Sequence, residues 1–211
     1  MDLEALTRFI NDCCVRYSID ESHGLLHALN TMNWAEKLLA AEDNVSPDER
    51  RMALYGAALH DMCDAKYTDI QEAGDVICAW LTRERGWTAT DAAALIRIIQ
   101  STSYSKLKLV LQVDPRGEGA PYPDHGRWQR AFHIIRHADL LEGYSVRRCM
   151  LYTRHRLPQV SEDDYWPIVN EVFQQRVLRY VSDGWLYLPQ AVVYAAELDR
   201  IARQDLAEKK Y

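Results

Sequence analysis

Long apolar runs are missing from this 211-residue chain: no stretch approaches the roughly 20 apolar residues that a membrane helix needs. An excess of positive charge is missing too, since 25 Lys and Arg residues face 31 Asp and Glu residues. The N-terminus also lacks the basic-then-apolar order of a signal peptide. These absences predict a cytoplasmic protein with no membrane partner, and they argue against a wide surface for long nucleic acid.

Cysteine supplies no framework for the fold. The five cysteines are an odd number, Cys13 and Cys14 are adjacent, and none of the spacings is typical of a zinc site. We interpret them as reduced thiols that behave as small, mostly buried hydrophobic side chains.

Apolar residues at helical spacing, with capping signals between them, predict an all-α fold. The length suffices for one sizeable core, and no repeat, low-complexity tract or long linker divides the chain, so we expect one domain over residues 1–211. The predicted helices cover 2–17, about 23–41, 47 to about 61, 68–85, 88–106, 128–156 with a break near 143, 161–181, and a last helix that fades towards 211. The C-terminal helices, 161–208, are expected to pack on the rest.

Two segments depart from this helical pattern. Residues 107–113 alternate apolar and polar side chains, which allows a short extended piece. Residues 114–126 contain three prolines and three glycines, which predicts a loop. We expect this loop to lie near the mouth of a functional site, because it leads into the helix that carries Asp139.

The segment AALHDMCDAK, residues 57–66, places His60 and Asp61 side by side. In a helix His60 shares a face with Ala53 and Gly56, which would let another backbone come close, while Asp61 points about 100° away. One helix therefore offers a nitrogen and an oxygen to a metal ion. A His-Asp dipeptide alone is more often ordinary surface chemistry.

Asp139 is the most informative single residue. It continues an apolar stripe formed by Trp128, Phe132 and Ile135, and an ionised carboxylate facing a core costs several kcal/mol unless it is paired or binds a metal. The alternative to a metal ligand is that the Asp139 carboxylate forms a hydrogen bond with a helix end or with an arginine such as Arg136.

A histidine, an adjacent His-Asp pair and a late aspartate, on three predicted helices in that order, resemble the HD superfamily of metal-dependent phosphohydrolases. The resemblance covers roughly residues 20–148 and implies an HD-type helical bundle. It departs at Asn30, where many relatives carry arginine. The metal ligands that it implies are His27, His60, Asp61 and Asp139.

His27 precedes its apolar helix run as the family's first ligand does. Taken alone, His27 is as well explained as a satisfied core histidine, and His23, one turn earlier, is the competing ligand. Two nitrogens and two oxygens suit one divalent ion such as Mn, Co, Fe, Ni or Zn. The resemblance to the HD superfamily implies Mn or Mg. Residues 62–124 contain no histidine, which argues against the dinuclear site of HD oxygenases and cyclic-dinucleotide phosphodiesterases.

Asp64 and Lys66 resemble the HDxx[ED] pattern of HD nucleotidases and alarmone hydrolases, in which the acidic residue positions or deprotonates the attacking water. The lysine would hold phosphate as a point charge. A solvated Asp-Lys pair in a turn is the alternative for these two residues.

Further phosphate contacts are expected from the segment SYSK, which resembles part of small HD pyrophosphohydrolases, and from a pair of arginines. The candidates are Ser103, Tyr104, Lys106 and Arg148, with Arg147 beside the last. The alternatives are a polar cluster at a helix end and ordinary solvated arginines.

The resemblance implies a hydrolase that acts on a small phosphorylated metabolite, above all a nucleotide. Among such hydrolases, the favoured activity is pyrophosphohydrolysis of nucleoside triphosphates, and the second is that of a 5′-nucleotidase on monophosphates. The net negative charge argues against an endonuclease. A nucleotide-binding HD module that regulates a partner without turnover remains the alternative from another class. The sequence says nothing about the oligomeric state.

Overall fold

The computed structural model describes residues 1–111 and 122–210, without the side chains of Val110, Leu111 and Glu162, and within these ranges it contains helices and no strand. No helix in the described part is long and apolar enough to cross a membrane. Ten α-helices are described: α1 Leu3–Tyr17, α2 Leu25–Leu39, α3 Pro47–Leu59, α4 Ile70–Glu84, α5 Ala89–Ser101, α6 Tyr104–Leu111, α7 Gln129–Glu142, α8 Val146–Arg156, α9 Glu162–Gln175 and α10 Pro189–Glu208. Short 3₁₀ segments cover Glu21–His23, His60–Cys63, Gly126–Trp128 and Val177–Arg179.

Three helices begin at the N-caps that the sequence predicts. The side chains of Ser46, Thr88 and Ser161 each accept a hydrogen bond from the backbone N–H three residues later, which satisfies one free donor of each helix start. The carboxylate of Glu49, expected to complete a capping box with Ser46, binds the guanidinium of Arg130 instead.

The centre of the fold is a three-helix layer of α2, α3 and α7, which pack against one another. Small residues on α2 and α3, such as Ala35, Ala53 and Ala57, are fully or almost fully buried there, so the helix backbones approach closely. Phe132 and Ile135 fill the α7 side of this contact. Helix α2 carries His27, helix α7 carries Asp139, and α3 leads into the segment that carries His60 and Asp61.

The remaining helices surround this layer. Helix α4 packs on α5, α8 packs on α9, and α10 contacts both α7 and α8. The chain turns between α7 and α8 at Gly143 and Tyr144, where the sequence predicts a break.

The expectation of an extended piece at residues 107–113 is wrong as far as residue 111, because Tyr104–Leu111 is helical. Tyr104 and Leu107, three positions apart, are buried, while Lys106 and Lys108 are exposed, as expected for one face of a helix. In so short a segment, alternating apolar and polar residues do not distinguish a strand from a helix. Most of the predicted loop over 114–126 lies outside the described residues. Of its end, residues 122–125 are described and belong to no helix.

Two helix ends also differ from expectation. The helix predicted over 161–181 stops at Gln175, and a 3₁₀ turn, Val177–Arg179, follows it. His60 and Asp61 lie on the 3₁₀ segment His60–Cys63 and not on α3 itself, although α3 leads directly into that segment.

Gly56 of α3 is required by packing, and alanine there should destabilise the fold. A Cβ atom at Gly56 would lie 2.2 Å from Cδ1 of Ile135, whereas at Gly74 of α4 the nearest atom, Cγ2 of Ile96, would be 3.2 Å away. Both glycines are helical, so alanine brings the same gain of about 1 kcal/mol in helix propensity. We expect Gly56→Ala to be less stable than Gly74→Ala by about 1–3 kcal/mol in urea unfolding. Equal stabilities would contradict the close packing of α3 on α7.

Candidate functional site

The three central helices bring His27, His60, Asp61 and Asp139 to one place. Helix α2 carries His27 in its first turn, the 3₁₀ segment after α3 carries His60 and Asp61, and α7 carries Asp139. Nδ1 of His60 lies 2.9 Å from the carbonyl oxygen of Ala57, so this nitrogen carries the proton and donates it. The other ring nitrogen, Nε2, faces the other three side chains and is the atom that could bind a metal.

The donor atoms of these four residues form a compact group. Nε2 of His27 lies 3.2 Å from Nε2 of His60, 3.1 Å from Oδ2 of Asp61 and 3.5 Å from Oδ1 of Asp139. Nε2 of His60 lies 3.3 Å and 3.5 Å from the same two oxygens. Nitrogen and oxygen ligands at roughly 2.0–2.2 Å from a tetrahedral ion are about 3.3–3.6 Å apart, so the spacing of the His27, His60 and Asp139 atoms is close to that around one ion.

The two carboxylates supply a second test of this fit. Within the described ranges, Oδ2 of Asp61 and Oδ1 of Asp139 are buried and have no hydrogen-bond partner. A buried carboxylate oxygen without a partner costs several kcal/mol, and these are the two oxygens that face the histidine nitrogens. A divalent ion held by His27, His60 and Asp139 would satisfy the Asp139 oxygen and lie near that of Asp61, so the donor set fits a metal. His27, His60 and Asp139 each offer one ligand atom, all within 4.8 Å of one another.

The electrostatics of the cluster keep its carboxylates ionised. Burial alone would raise the pKa of Asp61 and of Asp139, but the neighbouring histidines, with Arg148 near Asp139, hold both below their usual range. Burial, helped by the charge of Arg148, lowers the pKa of His27 to about 4. Burial also acts to lower the pKa of His60, but the charges of Asp61 and Asp139 raise it to about 9. The two ionised carboxylates, which also raise the pKa of His60, favour positive charge among these side chains.

The other residues predicted for the site lie around one cavity, of about 600 Å³, that opens on this cluster. A cavity of this volume is in the range that encloses a small organic ligand. His60, Asp61 and Asp139 are part of its wall. The predicted site residues that also line it are Asp64, Lys66, Ser103, Tyr104, Lys106 and Arg148.

Arg148 lies beside the carboxylates and is not a solvated arginine. Its Nη1 lies 3.6 Å from Oδ1 of Asp139, its Nη2 lies 3.9 Å from Oδ2 of Asp61, and its Nε donates to the carbonyl oxygen of Ser22. Its neighbour Arg147 is the surface residue of the pair and forms an exposed ion pair with Glu21.

Asp64 is half-buried at the cavity wall and is fixed by its own turn. Its N–H donates to the carbonyl oxygen of Asp61 at 3.3 Å, and its Oδ1 accepts the backbone N–H of Lys66 at 2.9 Å. The ammonium group of Lys66, 48% exposed, lies 3.6 Å from Oδ2 of Asp64. A carboxylate is thus held against the cavity close to one of the candidate ligands.

Tyr104 differs from its neighbours in the SYSK segment because it is buried. Its ring packs edge-to-face on Tyr180 and Trp185, with centroids 5.4 Å and 4.8 Å apart. Ser103 is half-buried and Lys106 exposed. Polar contacts to a ligand are therefore available from Ser103 and Lys106, while Tyr104 shapes the wall.

His23, the competing ligand, belongs to a separate hydrogen-bonded group. Its Nδ1 lies 3.0 Å from Oδ2 of Asp20 and 2.9 Å from the hydroxyl of Tyr67. Its ring borders the cavity but is not part of the four-atom cluster.

Asn30, where the sequence departs from the HD pattern, makes a neutral contact in place of a salt bridge. Its Nδ2 donates to Oε1 of Glu142 at 3.0 Å, and the indole N–H of Trp34 donates to the other carboxylate oxygen at 3.3 Å. Burial raises the pKa of Glu142. This polar group braces α2 against α7 one turn from Asp139.

Several residues of the cavity wall were not identified from the sequence. They come from α5, α8 and the segment after α9, and no motif or spacing marks them. They are Gln100, Tyr152, Arg156, Arg176 and Tyr180. The only available signal was their charge or aromatic character, which these residue types share with many surface positions.

Comparison with protein-family models found no match, and comparisons with curated proteins and with solved structures found none either. The site is therefore interpreted from its own geometry.

Proposed function

We propose that the protein is a metal-dependent phosphohydrolase of the HD type that acts on a small phosphorylated metabolite, above all a nucleotide. One observation carries the proposal: the donor atoms of His27, His60 and Asp139 converge at the edge of a cavity lined by cationic side chains, with the carboxylate of Asp61 against the two histidines. The order of the donors along the chain, with His27 first, the His60-Asp61 pair next and Asp139 last, supports the HD type.

A mononuclear centre is the form that the described residues support. Three of the four later histidines are engaged away from the cluster. The hydroxyl of Tyr187 contacts His133, and the backbone N–H of Tyr187 donates to Nε2 of His137. His125 contacts the hydroxyl of Ser101. These histidines therefore have structural partners and do not supply a second set of ligands.

The charge of the cavity supports a phosphorylated substrate. Six Lys and Arg side chains line it against three carboxylates, although the whole chain has a formal net charge of −6. The three carboxylates are Asp61, Asp64 and Asp139, so two of them belong to the candidate metal centre. Concentrated positive charge in a cavity attracts an anionic ligand and raises its local concentration.

A divalent ion held by His27, His60, Asp61 and Asp139, such as Mn, Mg, Co, Fe, Ni or Zn, would lower the pKa of water and polarise a phosphoryl oxygen. The chain's own residues supply the rest. In this proposal Asp64 orients the attacking water and accepts its proton, and Arg148 and Lys66 balance the charge of the phosphoryl group. We assign the bond cut first to the anhydride of a nucleoside triphosphate and second to the ester of a monophosphate.

The proposal predicts release of phosphate or pyrophosphate from at least one nucleotide in the presence of a suitable divalent metal. The test is a screen over ribo- and deoxynucleoside mono-, di- and triphosphates with each metal in turn, with the His60→Ala protein as the control for contaminating activity. Binding of nucleotides without release by any metal would contradict the proposal and favour the regulatory module.

A further inference from the structure

The cavity holds more positive charge than the candidate metal centre uses. Arg148 faces Asp61 and Asp139, and Lys66 faces Asp64. The other cations of the wall form no ion pair with a carboxylate in the part of the chain that the structure describes. They are Lys106, Lys108, Arg156 and Arg176. Side chains of like charge gathered at one cavity repel each other, which an anionic ligand would relieve.

Arg176 is the best fixed of these four cations. Its guanidinium carbon lies 4.2 Å from the ring centroid of Tyr104, and its Nε donates to the hydroxyl of Tyr180 at 2.9 Å. Tyr180 is itself buried and abuts Gly143, at which a Cβ would lie 3.5 Å from the Tyr180 hydroxyl. A guanidinium held on an aromatic face by one N–H keeps its outer N–H groups in a fixed fork, which suits phosphate oxygens.

Arg176 shares the cavity with the candidate metal centre but is not among the cations that pair with its carboxylates. One face of α8 lines the cavity from Arg148, beside the carboxylates, through Tyr152 to Arg156. Arg148 and Arg156 are eight residues apart, so the lined wall extends by roughly 12 Å along the helix. Arg176 follows α9, which packs on α8. One ligand can therefore reach the metal centre and this second group of cations together.

We propose that Arg176, with Arg156 in the same cavity wall, is the centre of a second anion-binding subsite that takes a second phosphate-class group of the substrate. This inference rests on the proposed function and deepens it. A substrate with two or more phosphate groups, such as a nucleoside di- or triphosphate, fills both parts of the cavity. A nucleoside monophosphate fills only one.

The test is isothermal titration calorimetry of the full chain with inorganic phosphate, pyrophosphate and tripolyphosphate, without added divalent metal, so that no turnover is needed. We expect Arg176→Gln to weaken tripolyphosphate binding by roughly tenfold to a hundredfold, as for the loss of a hydrogen-bonded charge. Phosphate binding should change much less. Arg179→Gln is the matched control, because Arg179 pairs with Asp183 at the surface and should leave every affinity unchanged.

Unchanged affinity of Arg176→Gln for tripolyphosphate would overturn the subsite. If Arg176→Gln does not fold, Arg176→Lys is the second variant, because lysine keeps the charge but lacks the paired N–H donors of arginine. Wild-type affinity of Arg176→Lys for tripolyphosphate would also overturn the subsite. The two proposals fail separately. A nucleotide screen without hydrolysis removes the proposed function but leaves the affinity difference, while hydrolysis with an unchanged KM in Arg176→Gln removes only the subsite.

Discussion

Replacing His60 with alanine is expected to remove the bound metal ion and turnover together. The wild-type chain should retain about one divalent ion after metal loading and dialysis, as a four-ligand site implies. His60→Ala removes one of the two nitrogen donors and leaves the carboxylates of Asp61 and Asp139 facing one histidine, His27. Asp139→Ala should have the same effect. Elemental analysis and a turnover assay on the same samples measure both quantities.

The matched control is His133→Ala, which removes a histidine of α7 that contacts Gln129 and Tyr187 and lies outside the cluster. It should keep the metal and the activity. Thermal unfolding of each variant without metal separates loss of the ion from loss of the fold. Full metal content in the double variant of His60 and Asp139 would show that the ion is bound elsewhere.

Replacing Asp64 with asparagine is expected to lower turnover by about two or more orders of magnitude while the metal stays bound. Asparagine keeps the size of the side chain and the oxygen that accepts the Lys66 N–H, so the turn after Cys63 is preserved. What it removes is the negative charge that accepts a proton. General-base catalysis by a positioned carboxylate typically contributes about 10²–10⁴-fold.

The control for this variant is Asp75→Asn, an exposed aspartate of α4 that contacts only Gln71 among the described residues. It should leave kcat and KM unchanged. Metal content and turnover must be measured on one Asp64→Asn preparation. Near-normal turnover with full metal content would show that Asp64 is only a turn residue paired with Lys66.

The roles of Asp139 and of the His60-Asp61 pair could be predicted because these residues break the local sequence pattern. Asp139 is a carboxylate on an apolar stripe, and the His60-Asp61 pair follows a run of small residues that lets helices approach. These are local conflicts, and a sequence shows local conflicts directly. Predicting His27 as a ligand also required the resemblance to the HD superfamily, because only that resemblance favoured His27 over His23.

In the structure, His23 and His27 differ in their contacts with residues far away in the sequence. His23 is engaged by Tyr67, 44 residues away, and His27 faces His60, 33 residues away. Helical spacing within one segment cannot predict contacts between residues so far apart in the sequence. The same limit applies to Arg147 and Arg148, which are adjacent in sequence while only the second reaches the carboxylates.

The C-terminal part of the cavity could not be predicted at all. Arg176 follows a helix that ends six residues before the predicted end, and the 3₁₀ turn that places it has no sequence signature. Its contacts with Tyr104 and Tyr180 depend on how α9 packs on α8. Tertiary packing of this kind overrides local propensity and leaves no periodic trace.

One measurement tests the central claim most directly: the initial rate of hydrolysis of the best nucleotide as metal is added to the metal-free protein in fractions of one equivalent. The account predicts no turnover without metal, a linear rise with added ion, and a plateau at about one equivalent per chain, as a single four-ligand site implies. In His60→Ala the same titration should stay flat up to several equivalents. Turnover that is independent of metal, or one equivalent of tightly bound metal without any turnover, would contradict the account.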